Sequence, residues 1–142
     1  MATQMSKDEW QRFLSVGTRT AKLSTVRADG RPHIAPVWFV LDGDDVVFNT
    51  GTDTVKGRNL IRDGHIAMCV DNEHPPFDFV VLEGTVRVSE DLTELRDWAT
   101  RIAARYMGAE LAEQFGARNG VPGEMLVRCR PDKVIALSGI AD

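Results

Sequence analysis

The chain has 142 residues, of which 43% are hydrophobic and 27% charged, and it carries a formal net charge of −4. That length suits one domain, residues 1–142, with one core. The balance excludes a disordered chain, and the acidic excess argues against a general nucleic-acid binder. No apolar run approaches the roughly 20 residues that span a bilayer, and Met1 to Asp8 lacks an apolar signal core. The expectation is a cytoplasmic protein without membrane or nucleic-acid partners. Cys69 and Cys129 are far apart, each within an apolar run, and read as reduced core thiols.

Ser6 and Glu9 have capping-box spacing, and Trp10, Phe13 and Leu14 then share one helical face, with Gly17 as the stop. Lys22 to Arg27 alternates as a half-buried strand, and Ala28-Asp29-Gly30 is a hairpin turn. Pro32 to Leu41 reads as one strand with apolar residues on both faces. One face fills a barrel and the other meets a helix, a partner subunit or a ligand. Pro36 has no N–H for a ladder and marks an edge, bulge or gap in pairing. Asp42-Gly43-Asp44 is a second turn, so Leu23 to Thr50 reads as a three-stranded meander. Thr52 or Asp53 caps a helix running to about Arg62. His65–Val70 and Phe79–Val88 are strands, with Gly84 at a bend or bulge. Asp91 to Met107 is a helix with an apolar stripe of Leu92, Leu95, Ala99, Ile102 and Tyr106. A short helix over Ala109–Phe115 and a loop over Ala117–Gly123 follow. Glu124–Arg130 and Lys133–Ser138 read as two strands across a Pro131-Asp132 turn. The sum is a mainly β chain of six or seven antiparallel strands with short helices, a barrel or sandwich rather than a βαβ fold.

One constellation stands out. Asp45–Thr50 is an apolar strand, and it leads through Gly51 into a helix carrying Lys56, Arg58 and Arg62. Free N–H groups at a helix start, together with the dipole, favour an anion, and the basic side chains add full charges. Helical spacing pairs Lys56 with Asn59 and Arg58 with Arg62. The same residues also suit a solvated helix face. His33, His65 and His74 lack the spacing of metal ligands, so no metal site is expected. Glu83 sits in an apolar run; it is either a buried, functional carboxylate or a residue that faces solvent or pairs with a basic residue.

Leu23 to Phe39, Lys56-Gly57-Arg58-Asn59-Leu60-Ile61-Arg62-Asp63 and Val81 to Val86 together resemble the pyridoxamine 5′-phosphate oxidase-like family over residues 18 to 138. They resemble in particular its small coenzyme F420-dependent oxidoreductases. The resemblance implies an FMN-binding type of split β-barrel and a homodimer with two cofactor sites at the interface. It also implies coenzyme F420, with FMN as the alternative. By position, it sets the ring against Pro36, Val37 and Trp38 and puts Asn49, Thr50 and Gly51 near the ring and ribityl chain. The phosphate falls to Lys56 with Arg58 and Asn59 close by, while Phe77 and Phe79 come from the second subunit. Relatives often carry a basic residue where Thr54 stands. Ala141-Asp142 lacks the arginine–histidine segment of true pyridoxamine phosphate oxidases, which argues against vitamin B6 oxidation. The implied activity is hydride transfer from reduced F420 to an electron-poor conjugated small molecule, or cofactor binding without turnover. No side chain is assigned as catalytic. The acceptor's proton comes from solvent or from a side chain such as His33.

Overall fold

Alternating apolar residues and tight glycine turns build most of the chain into one antiparallel sheet. The computed structural model describes residues 1–142. In chain order the elements are β1 (Thr3–Gln4), α1 (Lys7–Ser15), β2 (Ala21–Val26), β3 (Pro32–Val37), β4 (Val40–Asp42) and β5 (Asp45–Gly51). Then come α2 (Val55–Arg62), β6 (His65–Asp71), β7 (Phe79–Ser89), α3 (Leu92–Met107), α4 (Ala112–Asn119) and β8 (Glu124–Ser138). The sheet order is β3-β2-β6-β7-β8-β5-β4, with β1 added to β8. The chain is mainly β, with eight strands rather than six or seven. No helix is long and apolar enough to cross a membrane.

The expected meander over Leu23 to Thr50 does not form. The apolar run Pro32 to Leu41 breaks at Trp38-Phe39, so β3 and β4 lie at opposite edges of the sheet. Those edges are nonetheless joined by two residues. Three Cα steps of 3.8 Å limit the gap from Val37 to Val40 to about 11 Å. The sheet therefore curls into a barrel with an open seam, and Trp38 and Phe39 cross that seam. Pro36 sits on edge strand β3, opposite Lys22 of β2, where its missing N–H removes no ladder bond.

The two expected C-terminal strands are one. β8 runs through Pro131 and pairs with β5 in its first half and with β7 along most of its length. The register shifts between Glu83 and Gly84, so Asp132 is the extra residue of a bulge in β8. At Gly84 an added Cβ would sit 2.7 Å from Cys129 Sγ, so the bulge needs glycine there. The last helix is also displaced, to Ala112–Asn119.

The barrel interior is one apolar cluster that includes Leu14, Leu23, Phe39, Phe48, Leu82 and Val127. Trp10 and Phe13 of α1 pack against it, and Ser6 and Glu9 form the reciprocal capping box. A second cluster, Val47, Leu95, Trp98 and Leu126, lies between α3 and the outer face of β5 and β8. β5 is thus buried on both faces, as an uninterrupted apolar strand requires. Leu95, Ala99 and Ile102 of the α3 stripe are buried; Leu92 is exposed instead, and Trp98 and Ala103 complete the face.

Candidate functional site

At the open seam the end of β3, the end of β5 and the first turn of α2 converge. The convergence begins with Gly57. A Cβ there would lie 2.0 Å from the carbonyl oxygen of Gly51, so only glycine lets α2 press onto the end of β5. Thr54, not Thr52 or Asp53, is the N-cap. Its hydroxyl accepts from Gly57 N–H at 3.0 Å and donates to Gly51 O at 2.8 Å. Thr54 thus fills a structural role, tying the start of α2 to the end of β5. Lys56 follows in the first turn, where the N–H groups of Val55 and Lys56 precede any intrahelical acceptor.

A cavity of about 340 Å³ opens beside this turn. Pro36, Val37 and Trp38 form one wall, and Asn49, Thr50 and Gly51 form another. Thr54, Lys56, Asn119 and Glu124 complete it. Seven residues singled out in the sequence therefore share one space. Arg58 and Asn59 do not. Both line a separate cavity of about 330 Å³ with Arg27, Arg31 and Arg62. Asn59 is 3% exposed and turned inward; its amide donates to Thr25 Oγ1 at 3.0 Å, and its oxygen accepts from Arg62 at 3.2 Å. The pairing of Lys56 with Asn59 is corrected accordingly: Asn59 is committed to holding α2 on β2.

Phe77 is 44% exposed in the loop before β7, and Phe79 is half-buried at the start of that strand. Neither lines the seam cavity of its own chain. His33 is also outside the cavity; its Nδ1 is buried without a hydrogen-bond partner. Glu83 lies 3.9 Å from Lys133 Nζ, the paired reading of that carboxylate.

Trp38 is held from behind. Its ring stacks on Tyr106 with centroids 5.1 Å apart and planes 5° from parallel. The Tyr106 hydroxyl donates to Arg19 O at 2.9 Å and accepts from Phe39 N–H at 3.2 Å. Arg105 donates to Leu14 O at 2.7 Å, Phe39 O at 2.8 Å and Gly17 O at 3.0 Å. The last turn of α3 therefore clamps the seam crossing. Burial lowers the Arg105 pKa and raises that of Tyr106.

Glu124 was not visible in the sequence. Pairing of β5 with β8 sets it opposite Gly51. Its Oε2 is buried without a partner, and burial raises its pKa against the opposing charge of Lys56. Lys56 and Glu124 are the two ionisable side chains of the cavity. Such a site suits a ligand with a flat apolar part against Trp38, an anionic part at Lys56 and a hydrogen-bonding group at Glu124. Its volume lies at the small end of the roughly 300–1,000 Å³ usual for ligand pockets.

Comparison with known proteins places the fold. Among curated proteins none matches the chain. Among solved structures, the conserved hypothetical protein Rv2991 from Mycobacterium tuberculosis superposes with a TM-score of 0.83. The two share 21% identity over 95% of this chain and 86% of that one. An F420 reductase superposes at 0.71 with 25% identity, over 87% of this chain and 94% of its own. An FAD-binding protein from Mesorhizobium loti superposes at 0.72 with 15% identity, over 96% and 97% of the two chains. The family profile described as pyridoxamine 5′-phosphate oxidase matches residues 6–138. From Ser6 to Ser138, then, this chain belongs to the pyridoxamine 5′-phosphate oxidase family.

Proposed function

We propose that the seam cavity binds coenzyme F420 and that the protein is an F420-dependent reductase of an electron-poor conjugated small molecule. The observation that carries this reading is the convergence of Trp38, the Asn49–Gly51 strand end and Lys56 on one cavity. The 25% identity to an F420 reductase over 87% of the chain supports the choice of deazaflavin.

When bound, reduced F420 supplies the hydride, as cofactors carry the hard chemistry while the protein orients them. Lys56 and the free N–H groups at the start of α2 hold the phosphate. Pro36, Val37 and Trp38 wall the ring, and the stack of Trp38 on Tyr106 fixes that wall. Asn49, Thr50 and Gly51 meet the ring edge and the chain that follows it. Burial raises the Glu124 pKa, and its buried Oε2, without a partner in this chain, is placed to meet a polar group of the ligand. The cavity is open to one side, and a second copy of the chain completes it by bringing its own Phe77 and Phe79 to the ring. The exposure of Phe77, and of Ile34 on the outer face of β3, fits that homodimer.

The second reading is FMN or FAD in the same cavity, favoured by the likeness to an FAD-binding protein. The absorption spectrum of the purified protein separates the two. A protein that purifies without flavin bands and oxidises reduced F420 with a quinone or tetrapyrrole acceptor supports the proposal. A protein carrying flavin bands and inert towards F420 overturns it. Saturable F420 binding without turnover across the acceptor panel leaves a carrier, a binding protein on the same barrel.

A further inference from the structure

On the side of α2 away from Lys56 lies the second cavity, about 330 Å³, between α2 and the turn joining β2 to β3. Four arginines line it: Arg27 and Arg31 from the hairpin, Arg58 and Arg62 from the helix. One carboxylate, Asp29, faces them, and it is already paired with Arg31 at 2.8 Å. Arg62 is oriented by the carbonyl of Val26 and the amide oxygen of Asn59. Arg27 and Arg58 take part in no ion pair of this chain. A concentration of positive charge in a protein of net charge −4 is a local field of the opposite sign to the whole.

We infer that this cavity is a separate binding site for a small polyanion, a molecule carrying two or more carboxylate or phosphate groups. Guanidinium forks match both groups bidentately. Arg62 and Arg31 are held in place, and Arg27 and Arg58 are free to close on a ligand. A small ligand fits better than a nucleic acid, because no aromatic side chain lines the cavity for base stacking and the rest of the chain is acidic. The site does not depend on the cofactor reading, since Lys56 lies on the other side of the helix.

The test is calorimetric titration of the full-length protein with tripolyphosphate and, separately, with tricarballylate, at constant ionic strength and with acetate as the monovalent control. Saturable binding of either polyanion is expected, with at least a tenfold loss of affinity in the double variant Arg27→Gln/Arg58→Gln. The same loss is expected when the double variant is made in a Lys56→Ala background, which removes any phosphate held at the seam cavity. Both arginines are exposed, and an unchanged circular dichroism spectrum establishes that the variant folds. Which polyanion binds more tightly identifies phosphate or carboxylate chemistry. Overturning results are no saturable binding, binding that acetate matches, binding unaffected in the double variant, or tighter binding of a single-stranded oligonucleotide than of either polyanion.

Discussion

Replacing Arg105 with methionine keeps the apolar stem and removes the three donors that hold the seam crossing. The carbonyls of Leu14, Phe39 and Gly17 then lose bonds of 2.7 to 3.0 Å to a charged group. Hydrogen bonds to charged groups are each worth about 1.5–3 kcal/mol, but Gly17 is exposed and regains water. Counting the two part-buried acceptors gives a loss of about 3–6 kcal/mol. For a chain of this size that corresponds to a melting temperature lower by about 10–20 °C. Differential scanning calorimetry at neutral pH measures it, and urea unfolding gives an independent value. Arg105→Lys should recover only part of the loss, because a single ammonium cannot span three acceptors in a fixed fork. A loss below about 1 kcal/mol in Arg105→Met would refute the clamp, as that is the scale of one ordinary neutral bond.

Three further outcomes follow from particular contacts. Gly57→Ala should destabilise by about 2–3 kcal/mol and disorder the start of α2, because its Cβ meets the backbone oxygen of Gly51; thermal melting and amide exchange at Lys56 report both. Glu124 has a folded pKa raised above its reference value of 4.5 by burial, so the stability it contributes is present below pH 4.5 and is lost as pH rises through the folded value. Glu124→Gln should therefore melt higher than the parent at pH 7.5 and equally at pH 4; an equal melting temperature at both would contradict this. Burial pushes the Cys129 thiol up to about 11, which leaves on the order of one thiol in a thousand ionised at pH 8. Iodoacetamide at pH 8 should leave Cys129 unlabelled in the native protein and label it in urea, as mass spectrometry of its peptide would show.

Local chemistry made much of the fold legible. Asp29-Gly30 specified the first hairpin, and Gly30 adopts φ 88° there. Ser6 and Glu9 specified the start of α1, and Gly84 marked the bulge. The break at Trp38-Phe39 left no such mark. Both residues are apolar and suit a strand, and what interrupts them is the return of the chain to the far edge of the sheet. Pro131 looked like a turn because proline cannot donate to a ladder, yet the bulge beside Gly84 absorbs it. In the site, Lys56 and the strand ends were readable because strand, glycine and helix follow one another in sequence. Glu124 comes from the far end of the chain and reaches the cavity only through the pairing of β5 with β8, while Asn119 reaches it from the end of α4. Helical spacing misled for Asn59, since an amide beside the β2 face finds Thr25 before any ligand. Tyr106 was legible only as one residue of an apolar stripe, and its stack on Trp38 depends on where α3 ends.

The most direct test of the seam cavity is a fluorescence titration of oxidised F420 with the purified protein and with Lys56→Ala. Saturable quenching by the parent is expected, with affinity lower by about 1.5–3 kcal/mol in the variant, roughly 10- to 150-fold, if the ammonium holds the phosphate. Equal affinity in the two proteins, or no saturable quenching by either, would contradict the assignment of this cavity to the cofactor.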